Sequence, residues 1–353
     1  MNLYLTGDKI GTPTGGGSVT HHESNALRYL DPAEFQCVSS TGNRPPTVWD
    51  FDEECARFVE GVTEPIRLAH IYAGCFTKTV AALKRKGALV TYTAAAHDVA
   101  ISRREHELLG LPYDYPHLTD PEQLERYLGG YLNASTLIVP SRHSMAVMEA
   151  FGATNPIYVI PHGTHAVEAE IKPLPATFTV GYLGAIGPDK GLPYLLQAWK
   201  RLNWSDAELL IAGPQSQHPW MTEMISRFGG GRIRQLGWVE HIKDFYNSIS
   251  LYCQCSCSEG FGCEVPEALS YGRSVLASTT CGASDVVLPS RRYPYQDVGL
   301  LAGLIDLERK DTEGGIDMRA GWRAMVKDLH WPKIEKRYAD LWRDLLRGKS
   351  YES

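Results

Sequence analysis

Strand-like and helix-like segments alternate along nearly the whole chain, and this alternation limits the possible folds more than any other feature. In the first half, short apolar and β-branched runs are predicted to form strands at residues 2–6, 35–40, 66–72, 88–94, 136–141 and 157–161. Segments with helical spacing of apolar residues, such as FTKTVAALKRKG and HSMAVMEAFG, lie between them and end in glycine, as many helices do. Strands that alternate with helices indicate an α/β fold with parallel sheets.

A second series of the same kind follows the segment AEIKPLPATF, in which Pro173 and Pro175 indicate a linker. It runs from FTVGYLG to SVLAS, and a helical segment closes the chain. We therefore predict two doubly wound domains, residues 1–170 and 171–330, followed by a terminal helix within residues 331–353. Because ligands of open parallel sheets bind at the carboxyl ends of the strands, we expect the functional site in a cleft between the two domains.

The net charge and the cysteines narrow the classes of function. A formal net charge of −6 argues against a nucleic-acid coat or a general membrane-surface protein, and no apolar run reaches the roughly 18 residues of a membrane span. Cys253, Cys255 and Cys257 alternate in YCQCSC. We interpret them as small buried residues rather than as a metal or redox site, because ligands spaced this way do not converge on one ion. The cysteine usage, and the N-terminal MNLYLTGDKI that does not fit a signal peptide, predict a cytoplasmic protein.

Two glycine-rich turns follow predicted strands. In GTPTGGGSVTHH, Gly15, Gly16 and Gly17 would let a ligand approach the backbone beside a helix start, although a plain flexible connection explains the loop equally well. In VGYLGAIGPDKGLPYLLQAW, Lys190 lies near a helix start, where the helix dipole disfavours a cation. A bound anion would remove this conflict, because the lysine and the helix amides could hold it together. The alternative is a solvated loop lysine.

The segment SEGFGCEVPEALSYG carries two glutamates eight positions apart. Glu259 is predicted in a loop at the carboxyl end of the strand SLYCQCS, and Glu267 in the first turn of a helix that begins at Pro266. An acidic residue at a helix start needs no ligand, but that reason explains neither Glu259 nor the glycines of EGFG. Two carboxylates, loop amides, a helix start and a lysine would suit a ligand with hydroxyls at both ends and an anion between them. A nucleoside diphosphate sugar is such a ligand.

These motifs resemble those of glycosyltransferase family 4, whose members are retaining enzymes of the GT-B fold. EGFG followed by PEALSYGRSVLAS resembles the family's donor-binding signature, and VGYLGAIGPDKG, LLIAGPQ, IRQLGWV and CGASDVV resemble the neighbouring segments in the same order. AHDVAISRREHELLG, VPSRHSMAVMEAFG and VIPHG resemble first-domain and domain-crossing segments, so that the resemblance covers most of the chain. It implies two Rossmann-like domains that face a central cleft, the first on the acceptor side and the second binding the donor. It also implies that the terminal helix, WPKIEKRYADLWRDLL, packs back on the first domain.

The resemblance implies roles for individual residues. Glu267 would bind the ribose hydroxyls of the donor, Glu259 would contact hydroxyls of the transferred sugar, and Lys190 would neutralise the leaving diphosphate. Backbone groups would make the other contacts with the donor, at Gly16, Gly17, Gly184, Phe261, Gly262 and Cys263. His97 would lie near the reacting centre, and the alternative for it is a core or capping histidine beside Asp98.

The sequence departs from the family pattern beside one of these positions. Family members usually carry an arginine directly after the glycine that matches Gly184, and here Ala185 stands in its place. One of two phosphate-binding cations is therefore missing, and Arg142 or Arg273 could replace it. A second, smaller departure is Asp285, which stands where the family often has glutamate.

The activity implied by the resemblance is transfer of a sugar from a nucleoside-diphosphate sugar to an acceptor hydroxyl, with retention and with no obligatory metal or other cofactor. Asp50 and Asp52 form a D-x-D, the metal motif of the other large glycosyltransferase fold, but we interpret them as the acidic start of a helix. The alternatives are a catalytically altered nucleotide-sugar-binding module and another GT-B enzyme, such as a phosphorylase or an epimerase. The acceptor stays open among a glycan, a lipid, a small molecule, a protein and a modified nucleic-acid base. Peripheral contact with a membrane through local basic clusters also stays open.

Overall fold

The computed structural model describes residues 1–6, 10, 15–30, 35–39, 48–72, 74–95, 98–111, 113, 120–214 and 219–349 of the chain. The chain forms two compact units. Unit 1 contains Met1–Ala96, Asp114–His162 and Trp331–Ser353, and unit 2 contains His97–Tyr113 and Gly163–His330. The chain therefore passes from one unit to the other four times, once at each boundary between these ranges.

Unit 1 contains a six-stranded sheet. Its strands are β1 (Asn2–Thr6), β2 (Phe35–Ser39), β3 (Leu68–Tyr72), β4 (Leu89–Thr93), β5 (Thr136–Val139) and β6 (Ile157–Val159). They pair in the order β2-β1-β3-β4-β5-β6, and every pairing is parallel. The central strands β1 and β3 are buried on both faces, which explains why they form continuous apolar runs in the sequence instead of alternating. The strands predicted for the first half are confirmed, some of them shorter by one or two residues at an end.

Unit 2 contains a second six-stranded sheet. Its strands are β7 (Thr179–Leu183), β8 (Glu208–Ala212), β9 (Ile233–Gly237), β10 (Leu251–Gln254), β11 (Ser274–Ser278) and β12 (Arg292–Tyr293). Their order is β12-β11-β10-β7-β8-β9, again with every pairing parallel. The order reverses beside β7, whose neighbours are β10 and β8. Such a reversal is where open parallel sheets bind ligands.

Helices connect the strands in both units. In chain order the described α-helices are α1 (Gly15–Arg28), α2 (Val48–Gly61), α3 (Thr77–Arg85), α4 (Val99–Leu109), α5 (Pro121–Asn133), α6 (Arg142–Ala150), α7 (Leu192–Leu202), α8 (Pro219–Phe228), α9 (Ile242–Asn247), α10 (Glu264–Ser270), α11 (Val298–Glu313), α12 (Arg319–Ala324) and α13 (Trp331–Leu346). Helices α1 to α3, α5, α6 and α13 belong to unit 1, and the others belong to unit 2. None of the described helices is both long enough and apolar enough to cross a membrane.

The terminal region forms two helices where the sequence suggested one helical stretch. Helix α12 ends at Ala324, and α13 begins at Trp331 with Pro332 in its first turn. Proline lacks a backbone N–H and is tolerated at a helix start but not in a helix interior, so Pro332 fits the first turn of a new helix. Ile334, Tyr338 and Leu341 form the buried apolar face of α13, and Leu345, in line with them, is half-buried.

A buried polar network joins α13 to the rest of unit 1. The Glu23 carboxylate of α1 is fully buried and accepts hydrogen bonds from the hydroxyls of Tyr4 (3.0 Å) and Tyr338 (2.9 Å). The Nε2 atom of His70, on β3, lies 3.2 Å from the same carboxylate. A buried carboxylate is costly unless its oxygens are hydrogen-bonded. These partners therefore hold β1, β3 and α13 against α1.

The D-x-D pair lies at the start of α2, as the sequence suggested. Asp52 is fully buried, and its carboxylate accepts hydrogen bonds from the backbone N–H groups of Lys78 and Thr79, both at 2.9 Å. The Thr79 hydroxyl donates to the same carboxylate at 2.8 Å. Asp52 therefore satisfies the first N–H groups of α3, which have no partner within their own helix. The Asp52 carboxylate therefore has a structural role in capping α3.

Candidate functional site

The candidate site lies at the carboxyl ends of β7 and β10. These strands are neighbours in the sheet of unit 2, so the loops that follow them lie side by side. The loop after β7 leads through a 3-10 turn, Pro188–Lys190, into α7. The loop after β10 leads into α10, and the backbone N–H of Cys257 in this loop donates to the Asp189 carbonyl oxygen at 2.7 Å. The fold thus brings the two motifs predicted from the sequence into contact.

Two glycines make this close approach possible. Gly191 has a φ of +67°, and a Cβ atom there would lie 1.8 Å from the Cys255 carbonyl oxygen. Gly213, after β8, has a φ of +147°, and a Cβ atom there would lie 1.9 Å from the Gly184 carbonyl oxygen. No side chain fits at either distance, and L-residues rarely adopt these φ values. The glycines after β7 and β8 are therefore needed for the loops to pass one another.

Lys190 and Glu259 form an ion pair in which Nζ lies 2.5 Å from Oε2. Each side chain is about one-quarter exposed, 25% for the lysine and 24% for the glutamate. The carboxylate of Glu259 raises the pKa of the Lys190 ammonium above its ordinary value, and partial burial opposes that effect. The lysine therefore carries its charge throughout the physiological range and is open to a ligand on one side.

The loop from Glu259 to Cys263 is held by the chain segment that follows β11. The Glu259 N–H donates to the Thr280 carbonyl oxygen at 3.0 Å, and the Ala283 N–H donates to the Phe261 carbonyl oxygen at 2.6 Å. Gly262 has a φ of +89°, and a Cβ atom there would lie 2.9 Å from Cys281 Sγ. These contacts fix the conformation of the loop that carries the backbone amides of Phe261, Gly262 and Cys263.

Two further carboxyl groups lie on the first turn of α10, at Glu264 and Glu267. Burial is the main cause that raises the pKa of Glu267 to about 8, with the charge of Glu264 second, although the Tyr246 hydroxyl donates to Glu267 Oε2 at 2.9 Å and lowers it. Burial also raises the pKa of Glu264 to about 7, again before the charge of a neighbour, Glu259. Lys190 therefore lies near two of these carboxyl groups, those of Glu259 and Glu264, and burial keeps Glu264 and Glu267 more protonated near neutral pH than free glutamates.

Glu264 is a site residue that the sequence reasoning did not select. A Cβ atom on Gly184 would lie 3.6 Å from Glu264 Oε1, so this carboxyl group faces the backbone of the loop after β7. The signal was present, because Glu264 and Glu267 are three positions apart and lie on the same face of a helix. The sequence prediction began the helix at Pro266 and thereby left Glu264 in the loop.

The alternating cysteines are structural, as the sequence suggested. Cys253, Cys255 and Cys257 are completely buried, and burial raises the pKa of the Cys255 thiol to about 12. Cys255 Sγ lies 3.3 Å from the carbonyl oxygen of Lys190 and so packs under the turn that presents the lysine. Among the residues that the structure describes, no group of three or more His, Cys, Asp or Glu side chains is arranged to hold a metal ion.

The structure does not show the remaining predicted residues in contact with Lys190 or Glu259. Gly16 and Gly17 are in the first turn of α1 in unit 1, and His97 falls outside the described residues. Arg273 does not replace the missing arginine. It precedes β11, at the amino end of the sheet, and its guanidinium donates to the carbonyl oxygen of Lys172 at 3.1 Å. Arg142 is the first residue of α6 in unit 1.

Comparison with known proteins assigns a class to unit 2. Residues 177–303 match the family described as Glycosyl transferases group 1. This segment contains Lys190, Glu259, Glu264 and Glu267, the lysine and the three glutamates of the candidate site. No curated protein matches the sequence.

Solved structures share the fold over almost the whole chain. Sucrose-phosphate synthase from Thermosynechococcus elongatus is 18% identical with a TM-score of 0.73, over 99% of this chain and 100% of that one. A glycosyltransferase from Rickettsia africae ESF-5 is 14% identical with a TM-score of 0.69, over 99% of each chain. The HepE protein of Anabaena, in complex with UDP and glucose, is 17% identical with a TM-score of 0.67, over 97% of this chain and 99% of that one.

The fold is that of the GT-B glycosyltransferases, with two Rossmann-like domains, as predicted from the sequence. With the group 1 domain in unit 2, the chain is a glycosyltransferase enzyme.

Proposed function

We propose that the chain transfers a sugar from a nucleoside-diphosphate sugar to an acceptor hydroxyl, as a retaining enzyme of glycosyltransferase family 4 that needs no metal. The observation that carries this proposal is the ion pair between Lys190 and Glu259, at the carboxyl edge of the sheet and near Glu264 and Glu267. A cation flanked by carboxyl groups matches a diphosphate flanked by the hydroxyls of two sugars. All of these residues lie in the segment that matches the glycosyltransferase family model.

Each residue takes one part of the donor in this proposal. Glu267 accepts hydrogen bonds from the ribose hydroxyls, while Tyr246 holds one of its oxygens in place. Glu259 accepts from hydroxyls of the transferred sugar, beside the backbone amides of Phe261, Gly262 and Cys263. Lys190 contacts the diphosphate. An ammonium group has three N–H donors, so it can bind a phosphate oxygen without releasing Glu259.

Four further positions complete the site in the proposal. Gly184 presents its backbone to the donor from the loop after β7. Gly16 and Gly17, in the first turn of α1, are the backbone contacts that the family resemblance assigns to the phosphates and the acceptor, since a helix N-terminus suits an anion. His97 is the histidine that the family resemblance assigns to the reacting centre.

The reaction breaks the bond between the anomeric carbon and the diphosphate while the acceptor oxygen bonds to the same face of the sugar. The sugar passes through an oxocarbenium-like state, and negative charge builds up on the leaving phosphate. Lys190 stabilises that charge, and its environment is already arranged before reaction. The acceptor proton goes to an oxygen of the leaving diphosphate, so the protein needs no covalent nucleophile.

The roles of two residues support a transfer reaction that needs no metal ion. Asp52 of the D-x-D uses its carboxylate to cap α3, and Lys190 supplies the positive charge that a metal ion supplies in other transferases. All eight cysteines are free, which fits the proposed cytoplasmic location, where thiols stay reduced.

The test is release of nucleoside diphosphate from a panel of nucleotide sugars, with and without a metal chelator. UDP-sugars come first, since a protein of the same fold was solved with UDP and glucose. We expect release with at least one donor, unchanged by the chelator, and a product with the anomeric configuration of the donor by NMR. Glu259→Ala should abolish release, whereas Glu223→Ala, at an exposed position on α8, should not.

One observation favours a second candidate, a nucleotide-sugar-binding module without catalysis. Ala185 stands where a phosphate-binding arginine is expected, and its carbonyl oxygen accepts a hydrogen bond from the Tyr182 hydroxyl at 2.6 Å. Tight binding of a nucleotide sugar without release from any donor, in the presence of a broad acceptor mixture, would favour the module. Release that depends on Glu259 would exclude it.

A further inference from the structure

Helix α4 comes from the first half of the sequence but folds with unit 2. It lies between β4 and α5 in the chain, both of which belong to unit 1. The helix has its own strong end signals. The Asp98 carboxylate caps its start by accepting from the N–H groups of Ala100 and Ile101, and Gly110 ends it with a φ of +68°. It is therefore a rigid element that unit 2 holds along its length.

One end of α4 is attached to the loop that carries Glu259. The backbone N–H of Asp98 donates to the Ser258 hydroxyl oxygen at 2.6 Å, and Ser258 is only 1% exposed. Ser258 immediately precedes Glu259. Since the amide is at the start of α4, where helix N–H groups have no intrahelical partner, this bond has no replacement within the helix.

The middle of α4 is attached to the segment that carries Lys190. The Tyr194 hydroxyl, in the first turn of α7, donates to Glu105 Oε2 at 2.7 Å, and Glu105 is 2% exposed. Helix α4 also contacts the 3-10 turn Pro188–Lys190 itself, and Leu109 packs against the apolar core of unit 2. A single helix thus braces the two loops that form the candidate site.

We propose that α4 positions the donor site, with Ser258 and Glu105 as the positioning residues. Lys190 and Glu259 follow different strands, and their 2.5 Å contact requires both loops in place at once. Hydrogen bonds from one rigid helix to both loops provide that constraint. The proposal rests on the assignment of Lys190 and Glu259 to the donor. A displacement of about 1 Å in a reacting group can lower a rate by about 100-fold.

The first test compares two buried serines that make the same kind of bond. Ser258→Ala removes the acceptor for Asp98. Ser250→Ala removes a similar bond, from the Thr179 N–H at 3.2 Å, at the amino end of the sheet and equally buried. We expect Ser258→Ala to lower kcat at least tenfold with a smaller change in the donor KM. Ser250→Ala should leave kcat within twofold at an equal loss of melting temperature, and Ser258→Thr should restore most of the rate. Equal kcat in both alanine variants would overturn the proposal.

The second test separates hydrogen bonding from charge at the other contact. Glu105→Gln keeps an acceptor for Tyr194, whereas Tyr194→Phe removes the donor. We expect the glutamine variant to retain most of the turnover and the phenylalanine variant to lose about tenfold. The reverse order would contradict a positioning role.

Hydrogen exchange of the ligand-free protein tests the brace without any turnover. Ser258→Ala should increase amide exchange in residues 98–102 and in 258–263, and Ser250→Ala should not. If the wild-type protein turned over no donor, the proposed function would fail, and the exchange measurement would still decide whether α4 holds the loop. Unchanged exchange in both segments would overturn the brace.

Discussion

Glu264 and Glu267 share the half-buried first turn of α10, and neither ionises as a free glutamate does. Burial raises the pKa of Glu267 from an ordinary 4.5 to about 8 and that of Glu264 to about 7. The site can therefore hold three carboxyl groups without three negative charges. In the proposal, a diphosphate then approaches a site that is less acidic than its sequence suggests.

The raised pKa of Glu267 predicts that stability falls as the pH rises. The unfolded chain releases this proton near pH 4.5, whereas the folded chain keeps it until about pH 8. The folded state therefore binds more protons across that window, and the free energy of unfolding decreases through it. Thermal unfolding of the wild type and of Glu267→Gln between pH 5.5 and 8.5 measures the effect.

We expect the melting temperature of Glu267→Gln to change less with pH than that of the wild type. The control is Glu223→Gln, at an exposed position on α8, which should keep the wild-type slope. Identical slopes for all three proteins would show that Glu267 ionises normally.

Lys190 supplies the cation in the proposed contact with the diphosphate. Charge-assisted hydrogen bonds contribute about 1.5–3 kcal/mol, so Lys190→Met should weaken binding of the donor nucleotide by about 10- to 100-fold. Isothermal titration with the nucleoside diphosphate measures the affinity. Lys200→Met, at an exposed position in the last turn of α7, should bind as the wild type does. Wild-type affinity in Lys190→Met would remove the lysine from the site.

At the scale of single residues, the sequence identified site residues whose role follows from their position in a motif. It did not identify residues whose role follows from contacts in the folded chain. Glu259, Glu267 and Lys190 were identified from their positions in predicted elements. Glu259 lies in a predicted loop, Glu267 at a predicted helix start, and Lys190 near a helix start where a cation is disfavoured. Glu264 did not stand out, because the significance of its carboxyl group comes from burial beside Gly184 and Glu259. Arg273 shows the reverse error, since its position in the sequence gave no sign that its guanidinium binds the linker carbonyl groups.

The turn between β7 and α7 depends on Gly191 for a reason that can be measured. A Cβ atom at this position would lie 1.8 Å from the Cys255 carbonyl oxygen, and the backbone of one loop would have to move. Gly191→Ala should therefore lower the free energy of unfolding by more than about 3 kcal/mol, as severe clashes do. Urea unfolding gives the value.

The matched control for this prediction is Gly315→Ala. Gly315 has a similar φ of +78°, but nothing lies within 4 Å of a Cβ atom placed there. Gly315→Ala should lower the free energy of unfolding by only about 1–2 kcal/mol, which is the cost of a left-handed conformation for an L-residue. Equal losses in both variants would mean that strain, and not the contact with Cys255, sets the need for glycine at position 191.

At the element scale, the sequence predicted which elements exist better than where they begin. Helix α10 begins at Glu264, two residues before the predicted start at Pro266. Proline is compatible with any position of the first turn, so it marks the turn and not its first residue. Similarly, Pro332 marks the first turn of α13, but it does not explain why α12 already ends at Ala324.

At the scale of the whole molecule, unit 1 is completed only by the last helix of the chain. The Tyr338 hydroxyl of α13 donates to Glu23 of α1, more than 300 residues earlier. Tyr338→Phe leaves one oxygen of a buried carboxylate without this donor, so we expect a loss of about 1–3 kcal/mol in the free energy of unfolding. Nucleotide affinity should stay within twofold of the wild type, because Lys190, Glu259 and Glu267 lie in unit 2.

Tyr29→Phe is the control for this change, since that side chain is 62% exposed. It should leave stability within about 0.5 kcal/mol of the wild type, as most surface substitutions do. Equal stability of the two variants in chemical unfolding would show that the Glu23 network does not anchor α13.

The position of α4 in unit 2 is the part of the fold that could not be predicted from the sequence. Its apolar spacing and caps predict a helix, but the same pattern is compatible with packing in either unit. Its partners, Ser258 and Tyr194, are about 90 or more residues away in the chain and make ordinary side-chain hydrogen bonds. Only the three-dimensional arrangement reveals that a first-half helix belongs with the second sheet.

The central claim is that the carboxyl edge of the second sheet binds the donor nucleotide. The most direct measurement is a crystal structure of the protein with the nucleoside diphosphate that it releases. We expect the ribose hydroxyls within hydrogen-bond distance of Glu267 and a phosphate oxygen within hydrogen-bond distance of Lys190 Nζ. A nucleotide bound with its ribose away from Glu267 and its diphosphate away from Lys190 would contradict it.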